Sequence, residues 1–168
     1  RYKEFSEAKR DEIRKGEVIK VEAPKVADDI AQVVKKLQTQ ETSISDAEII
    51  VAAGRGVKDA QGLNLVQKLA DLLGGTVGAS RSLVDDGLMG HEAQVGYSGN
   101  RVKPKLYIAC GISGAPQHIA GMSESGYIIA INSDPSAPIF NIADFGICAD
   151  LYKALPELIT KIESLKSK

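Results

Sequence analysis

Four stretches of this chain carry residue types suited to holding an anionic, hydrogen-bonding ligand: Gly54-Arg55-Gly56, Ser80-Arg81-Ser82, Gln94 to Asn100 (QVGYSGN) and Gly111 to Gly121 (GISGAPQHIAG). Paired glycines let a backbone approach a ligand closely, and the Arg55 guanidinium between them can fork onto phosphate oxygens. By itself GRG is equally a glycine turn with a solvated arginine. Arg81 either meets a ligand or pairs with a local acid such as Asp85. QVGYSGN places Gly96 and Gly99 around Tyr97 and Ser98, a turn able to present a hydroxyl and backbone donors, although its composition alone says only turn. In GISGAPQHIAG a glycine loop leads to Pro116, a residue favoured at first helical positions, where free backbone N–H groups receive anions. His118, one of two histidines in the chain, lies within two turns of that loop and is either packed or a ligand contact. Asn132 and Asp150 stand where side chains after a strand accept from ribose hydroxyls. Asp134, before Pro135, reads as a turn, and Asp150 would also suit the dipole at a helix start.

Each stretch follows a segment that reads as a strand, so the elements between them must bring the strand ends together. Ala47 to Ala53 (AEIIVAA) is a buried-type strand; Leu63 to Leu73 has an amphipathic helical period closed by Gly74 and Gly75. Further strands are predicted at Thr76 to Ala79, Leu106 to Cys110 and Tyr127 to Ile131. A last strand-like piece follows at Pro138 to Ala143, then a helix over Ile147 to Ser164 interrupted by Pro156. This alternation predicts an α/β domain, doubly wound, its mainly parallel sheet covered by helices on both faces, with ligands at the carboxyl ends of the strands. Physics therefore reaches a nucleotide or dinucleotide site and stops. The GxGxxG fingerprint with an acid about 20 residues later is missing, which argues against an ordinary NAD dehydrogenase. No nucleophile and base stand out as a pair; Ser113 and His118 could be imagined as one, without an orienting acid.

The preceding part differs in composition. Acids and bases alternate densely from Arg1 to about Asp46, whereas residues 47–150 are apolar and glycine-rich, which sets the predicted boundary at 46/47. Gly16 to Pro24 (GEVIKVEAP) alternates like a strand, and Lys25 to Gln38 has helical spacing at Val26, Ile30, Val33, Val34 and Leu37. A strand so short needs a sheet to join, which suggests the last strand of another domain.

Composition removes several classes of function. The chain has 168 residues, 43% of them hydrophobic, with 21 basic against 22 acidic side chains. That near-neutral balance offers no electrostatic footprint for nucleic acid. No run approaches the roughly 20 apolar residues of a membrane span, and no signal-peptide core is present, so a soluble intracellular protein without membrane insertion is expected. Cys110 and Cys148 sit in apolar runs without a ligand-rich cluster, which predicts buried free thiols and no metal.

The order AAGRG, VGASRSLVDDG, QVGYSG, YIACGISGAPQHIAGM, AINSDPSAPIF, ADFGICADL, from Ala47 onward, resembles the electron-transfer flavoprotein alpha subunit. Six motifs recur in sequence order, and GISGAPQH is nearly a signature by itself. The resemblance implies that FAD is the cofactor, contacted by Arg55, Ser80, Arg81, the turn Gly96, Tyr97, Ser98 and Gly99, the loop Ser113, Gly114, Ala115, Pro116, Gln117 and His118, and by Asn132, Asp150 and Leu151. It puts Arg81 near the isoalloxazine ring, where fixed positive charge favours negative charge on reduced flavin and raises its potential. It puts His118 at the pyrimidine side, Ser98 near N5, Arg55 and Asn132 on the pyrophosphate and ribityl portion, and Asp150 and Leu151 near the adenosine. Two departures are visible: Ser98 stands where threonine is common, and Tyr97 where glutamine is frequent, so Tyr97 joins the set by its backbone.

The same resemblance implies a longer subunit with an additional N-terminal α/β domain, ended by Gly16 to Pro24. It implies a heterodimer with an electron-transfer flavoprotein beta subunit, and exchange with acyl-CoA or related dehydrogenases and an acceptor oxidoreductase. The expected role is a redox electron carrier without a substrate of its own, cytoplasmic in a bacterium or in the mitochondrial matrix of a eukaryote. Related complexes bifurcate electrons from NADH, a distinction carried by the beta subunit. Two other classes compete: a nucleotide-dependent enzyme on the same fold, which would require a substrate base, and a scaffold that has lost its flavin, against which the retained Arg55, Arg81, Ser98, His118 and Asp150 argue.

Overall fold

A computed structural model describes residues 16–22 and 43–166 of the chain. The chain divides into two compact units, Arg1–Thr39 and Gln40–Lys168. In the first unit, residues 16–22 form no strand, and Val18, Ile19 and Val21 are exposed. The alternation read there has no ladder to join among the described residues. The helical spacing over 25–38 lies outside the described residues.

In the second unit the apolar runs become five parallel strands: β1 (Ile49–Ala53), β2 (Thr76–Ala79), β3 (Leu106–Cys110), β4 (Tyr127–Asn132) and β5 (Phe145–Cys148), in the order β2-β1-β3-β4-β5. Among the described residues four α-helices connect or follow them: α1 (Ala60–Leu73), α2 (Arg81–Asp85), α3 (Pro116–Ile119) and α4 (Leu151–Lys166). From β1 the chain steps outward to β2, then crosses back to β3 and continues away to β5. The reversal leaves the carboxyl ends of β1 and β3 side by side, with Ala53 opposite Cys110, and such a switch point opens a crevice there.

Helix α1 begins because Asp59 accepts a hydrogen bond from the Gly62 N–H at 2.9 Å, and ends because Gly74 adopts φ +69°, letting the Gly75 N–H reach the Ala70 carbonyl at 2.8 Å. The alternation of the strands sends Val51, Ala53, Ile108 and Ile131 to one face, packed by Val66 and Leu69 of α1 and Leu155 and Ile159 of α4. On the other face Ile50, Ala52, Tyr107, Ala109 and Ile128 pack with Val95, Val102, Met122 and Ile139. The two long helices thus share one face. The second is covered by connections carrying α3 and a short 3₁₀ helix, Pro138–Asn141. Leu155 has no exposed surface, and Leu155→Ala should destabilise the domain by about 3 kcal/mol, the cost of a buried leucine cavity. Urea denaturation measures it; a loss below about 1 kcal/mol would mean that α4 docks loosely on the sheet.

Four expectations near the C-terminus are corrected. Pro138 to Ala143 is not a strand: proline cannot donate to a ladder and suits the first position of a helical turn, while the Ile139 N–H goes to the Ser113 carbonyl at 3.0 Å. The strand comes later, at Phe145–Cys148, and the helix starts at Leu151 rather than Ile147, where Asp150 Oδ1 accepts from the Tyr152 N–H at 3.0 Å. Nor does Pro156 interrupt α4. Leu151, Leu155 and Ile159 are buried on both sides of it, and that anchoring outweighs the roughly 3 kcal/mol that proline costs a helix interior. Cys148 is exposed at the sheet edge, contrary to the reading of both thiols as buried; Cys110 is buried, and burial pushes its thiol up to about 12.

Candidate functional site

Above the β1 and β3 ends lies a cleft of about 880 Å³, within the roughly 300–1,000 Å³ range of cofactor and ligand sites. Its first wall is the loop after β1. The Gly54 N–H donates to the Cys110 carbonyl at 2.9 Å and the Gly56 N–H to the Gly111 carbonyl at 3.0 Å, so this loop is stitched to the neighbouring loop after β3. A Cβ on Gly54 would run into the Gly111 carbonyl oxygen and lie 2.6 Å from Ile112 Cγ1, and one on Gly56 would lie 2.7 Å from Gly111 Cα. The close approach anticipated for a ligand is therefore made, at these glycines, by one loop on another. Arg55 is exposed and lines the cleft.

Beyond β2, Ser80 Oγ and Ser82 Oγ stand 2.9 Å apart, and Arg81 Nε lies 3.4 Å from Asp85 Oδ2. Both members of that pair are well exposed, so it is worth little and leaves the guanidinium available. The following turn is suspended between β2 and α3: the Val95 N–H donates to the Ala79 carbonyl at 2.9 Å and the Tyr97 N–H to the Gln117 carbonyl at 2.7 Å. Ser98 Oγ accepts from the buried Gln94 amide at 3.2 Å. Tyr97 points outward, with the Arg101 guanidinium 5.4 Å from its ring centroid.

In the loop after β3, Gly111 and Gly114 take φ +65° and +89°, turning the chain into α3 with Pro116 at its start. His118 of α3 is buried, and its Nε2 is 2.9 Å from the Tyr107 hydroxyl. Its Nδ1 is buried without a hydrogen-bond partner among the described residues. Burial pushes the imidazole down to about 4, with the Val95 carbonyl opposing weakly, so the ring is neutral near pH 7. Its partner is Tyr107, not Ser113, which leaves the imagined Ser113–His118 pair unformed.

On the β4 side, the Asn132 amide donates to the Ile112 carbonyl at 2.9 Å and its oxygen accepts from the Asp134 N–H at 3.0 Å. Asp134 accepts from the Ser136 hydroxyl and N–H at 2.6 and 2.9 Å, and these bonds hold its carboxyl below the usual range. It is the turn the sequence indicated, and it also lines the cleft.

Of the residues singled out beforehand, Arg55, Ser80, Arg81, Gly96, Tyr97, Ser98, Ser113, Ala115, Gln117, His118 and Asn132 line this one cleft. Gly99, Gly114 and Pro116 do not line it. They shape the loops behind its walls. Asp150 and Leu151 also stand outside the lining: Asp150 caps α4, and Leu151 is buried, where its Cδ2 would be 3.3 Å from a Cβ on Gly56. Lining residues that sequence reasoning did not select include Gln94, Ile112, Ala137 and Pro138. Gln94 and Ile112 belonged to stretches already singled out, although neither was picked from them; for apolar Ala137 no chemical signal existed. No group of His, Cys, Asp and Glu among the described residues could hold a metal.

Residues 43–123 match a protein-family model described as "Electron transfer flavoprotein FAD-binding domain". The chain is 50% identical over 160 residues to an electron transfer flavoprotein subunit alpha of Thermoanaerobacterium thermosaccharolyticum, covering 94% of this chain and 48% of that one. It is 51% identical over 136 residues to the subunit alpha of Bacillus subtilis, covering 81% and 42%. To the mitochondrial subunit alpha of Dictyostelium discoideum it is 48% identical over 133 residues, covering 79% and 37%. The chain spans about half the length of the first of these relatives.

Proposed function

The chain belongs to the electron transfer flavoprotein alpha family, and from that premise we propose that its cleft holds FAD and serves a one-domain relay of electrons between protein partners rather than the turnover of its own substrate. One observation carries the reading. Residues from four separate loops converge at the switch point, and among them the only buried side-chain nitrogen or oxygen without a hydrogen bond, among the described residues, is His118 Nδ1. An unsatisfied buried polar atom costs about 1–3 kcal/mol, a cost that a bound group able to hydrogen-bond there would relieve.

Bound FAD would supply one- and two-electron redox chemistry. The chain's own residues bind and orient. Arg55 and Arg81 bring two positive charges to a cleft whose lining acids are Asp85 and Asp134, and a guanidinium suits a pyrophosphate or a ring edge that gains charge. Ser80, Ser98 and Ser113 contribute hydroxyls, and His118 a neutral imidazole. Asn132, committed to Ile112 and Asp134, holds the two loops in register more than it reaches outward. Asp150 and Leu151 would support the adenosine end from beneath the first loop.

The partners in this reading are a beta subunit, acyl-CoA or related dehydrogenases as donors, and an acceptor oxidoreductase. No helix among the described residues is long and apolar enough to cross a membrane.

The testing experiment is an FAD titration of the purified chain followed by visible absorption, alone and with a beta subunit, and then anaerobic reduction. Saturable flavin bands support the reading; no binding even in the heterodimer would leave the scaffold alternative. Arg81→Ala should retain FAD but lower its one-electron reduction potential by about 40 mV, the equivalent of the ~1 kcal/mol that one charge contributes at contact distance in water-like surroundings. An unchanged potential would remove Arg81 from the neighbourhood of the ring.

A further inference from the structure

Among the described residues no hydrogen bond or ion pair fixes the Arg55 guanidinium, so its place at the cleft is set by the backbone that carries it. On one side that backbone is stitched to the loop after β3 through Gly54 and Gly56. On the other it meets the first turn of α4, 94 residues away in sequence. There the Tyr152 hydroxyl accepts from the Lys58 N–H at 3.1 Å and stands 3.1 Å from Asp59 Oδ1, the same oxygen that receives the Gly62 N–H at 2.9 Å. Chemistry fixes the direction of each bond. An N–H can only donate, and a carboxylate can only accept; the Gly62 N–H holds the Asp59 carboxyl below its usual range, so it is ionised near pH 7. The phenol proton therefore goes to Asp59 and an oxygen lone pair to Lys58, and one hydroxyl serves two consecutive residues. Gly62 makes room for it, since a Cβ there would lie 2.8 Å from the phenol oxygen. In the same turn of α4 Leu151 approaches Gly56, and the Tyr152 N–H is held by Asp150.

We propose that Tyr152 is a positioning residue for Arg55: its hydroxyl clamps Lys58 and Asp59 to the first turn of α4, so that the loop after β1 is held from both sides and presents the guanidinium to an anionic ligand in the cleft. Identifying that ligand with FAD rests on the reading proposed above; the clamp itself does not. Asp150 and Leu151 stand outside the cleft lining, and through Tyr152 the turn that contains them acts on the ligand indirectly. The bonds are exposed and each is modest in isolation. What they govern is the freedom of a charge: a guanidinium held in place loses less freedom on binding than one carried on a loose loop.

The test begins with amide hydrogen exchange on the ligand-free chain. The Lys58 N–H should be protected in the wild type and exchange about fivefold faster in Tyr152→Phe, the scale of one net hydrogen bond, while Gly75 at the far end of α1 is unchanged. FAD affinity is then measured, with a beta subunit present, for the wild type, Tyr152→Phe, Arg55→Ala and the double variant. Tyr152→Phe should weaken binding about fivefold where Arg55 is present and leave it unchanged where Arg55 is already alanine. A hydroxyl that only stabilised the fold would cost the same in both backgrounds. An unprotected Lys58 amide in the wild type, unaltered exchange in the variant, unaltered affinity, or equal losses with and without Arg55 would overturn the proposal; the first of these needs no variant to fold. FAD binding by none of the four proteins would instead count against the reading of the cleft, with the exchange measurement still deciding the clamp.

Discussion

Gly114→Ala is expected to destabilise the domain by about 3–4 kcal/mol and to abolish ligand binding in the cleft, whereas Gly87→Ala should cost only about 1–2 kcal/mol. Both glycines occupy the left-handed region, at φ +89° and +72°, so the intrinsic penalty on a Cβ is similar. They differ in what the added atom would meet. Nothing lies within 4 Å at Gly87, while at Gly114 it would collide with the Ile139 nitrogen and stand 2.7 Å from Ile139 Cα. Backbone atoms cannot swing aside, and this nitrogen is committed to the Ser113 carbonyl at 3.0 Å. Relief would require separating the loop after β3 from the 3₁₀ helix Pro138–Asn141, which would displace Ser113, Ala115 and Pro138 from the cleft. Urea denaturation of the two variants makes the comparison. Equal losses would mean that backbone conformation alone governs both sites and that the contact between these loops is slack.

The second large effect is a pH dependence traced to one side chain. Burial lowers the His118 pKa from 6.5 to about 4. Between these values the unfolded chain takes up a proton that the folded chain refuses, so stability is complete above about pH 6.5 and falls as the pH drops toward 4. A shift of this size corresponds to about 3 kcal/mol across the window, at 1.36 kcal/mol per unit. His118→Gln removes the titration, and the wild type should therefore lose about 3 kcal/mol more than the variant between pH 7 and pH 4. The carboxylates of Asp59 and Asp134 are held low by hydrogen bonds from Gly62 and Ser136; their loss comes at lower pH, and they are common to both proteins. Parallel curves for wild type and variant would show that the folded protein accepts the proton, with the imidazole reaching solvent through the cleft.

Much of the site was legible because its signals are local. Arg55, Arg81, Ser98 and His118 stand in short polar or glycine-bearing runs directly after apolar ones, and in a parallel sheet all such runs emerge at one end. Strands β2 and β3 coincide with the predicted segments, and Gly74 ends α1 where its permissive φ was expected to. The C-terminal third was less readable. Pro138 to Cys148 alternates helical and extended turns within a few residues, and whether Phe145–Cys148 pairs depends on β4, which lies more than ten residues upstream.

The amino-acid order by itself determined the α/β class, the family, the places where the cleft-lining loops begin, and most of the residues in them. Only the tertiary structure decided what those residues do to one another. It gave Gly54, Gly56 and Gly114 the task of seating loop against loop, withdrew Asp150 and Leu151 from the cleft lining, and paired His118 with Tyr107 from the neighbouring strand. The physical reason is one of range: propensity, capping and hydrophobic period act within a few residues of sequence, whereas hydrogen-bond partnership and steric contact depend on which distant segments the sheet order sets side by side.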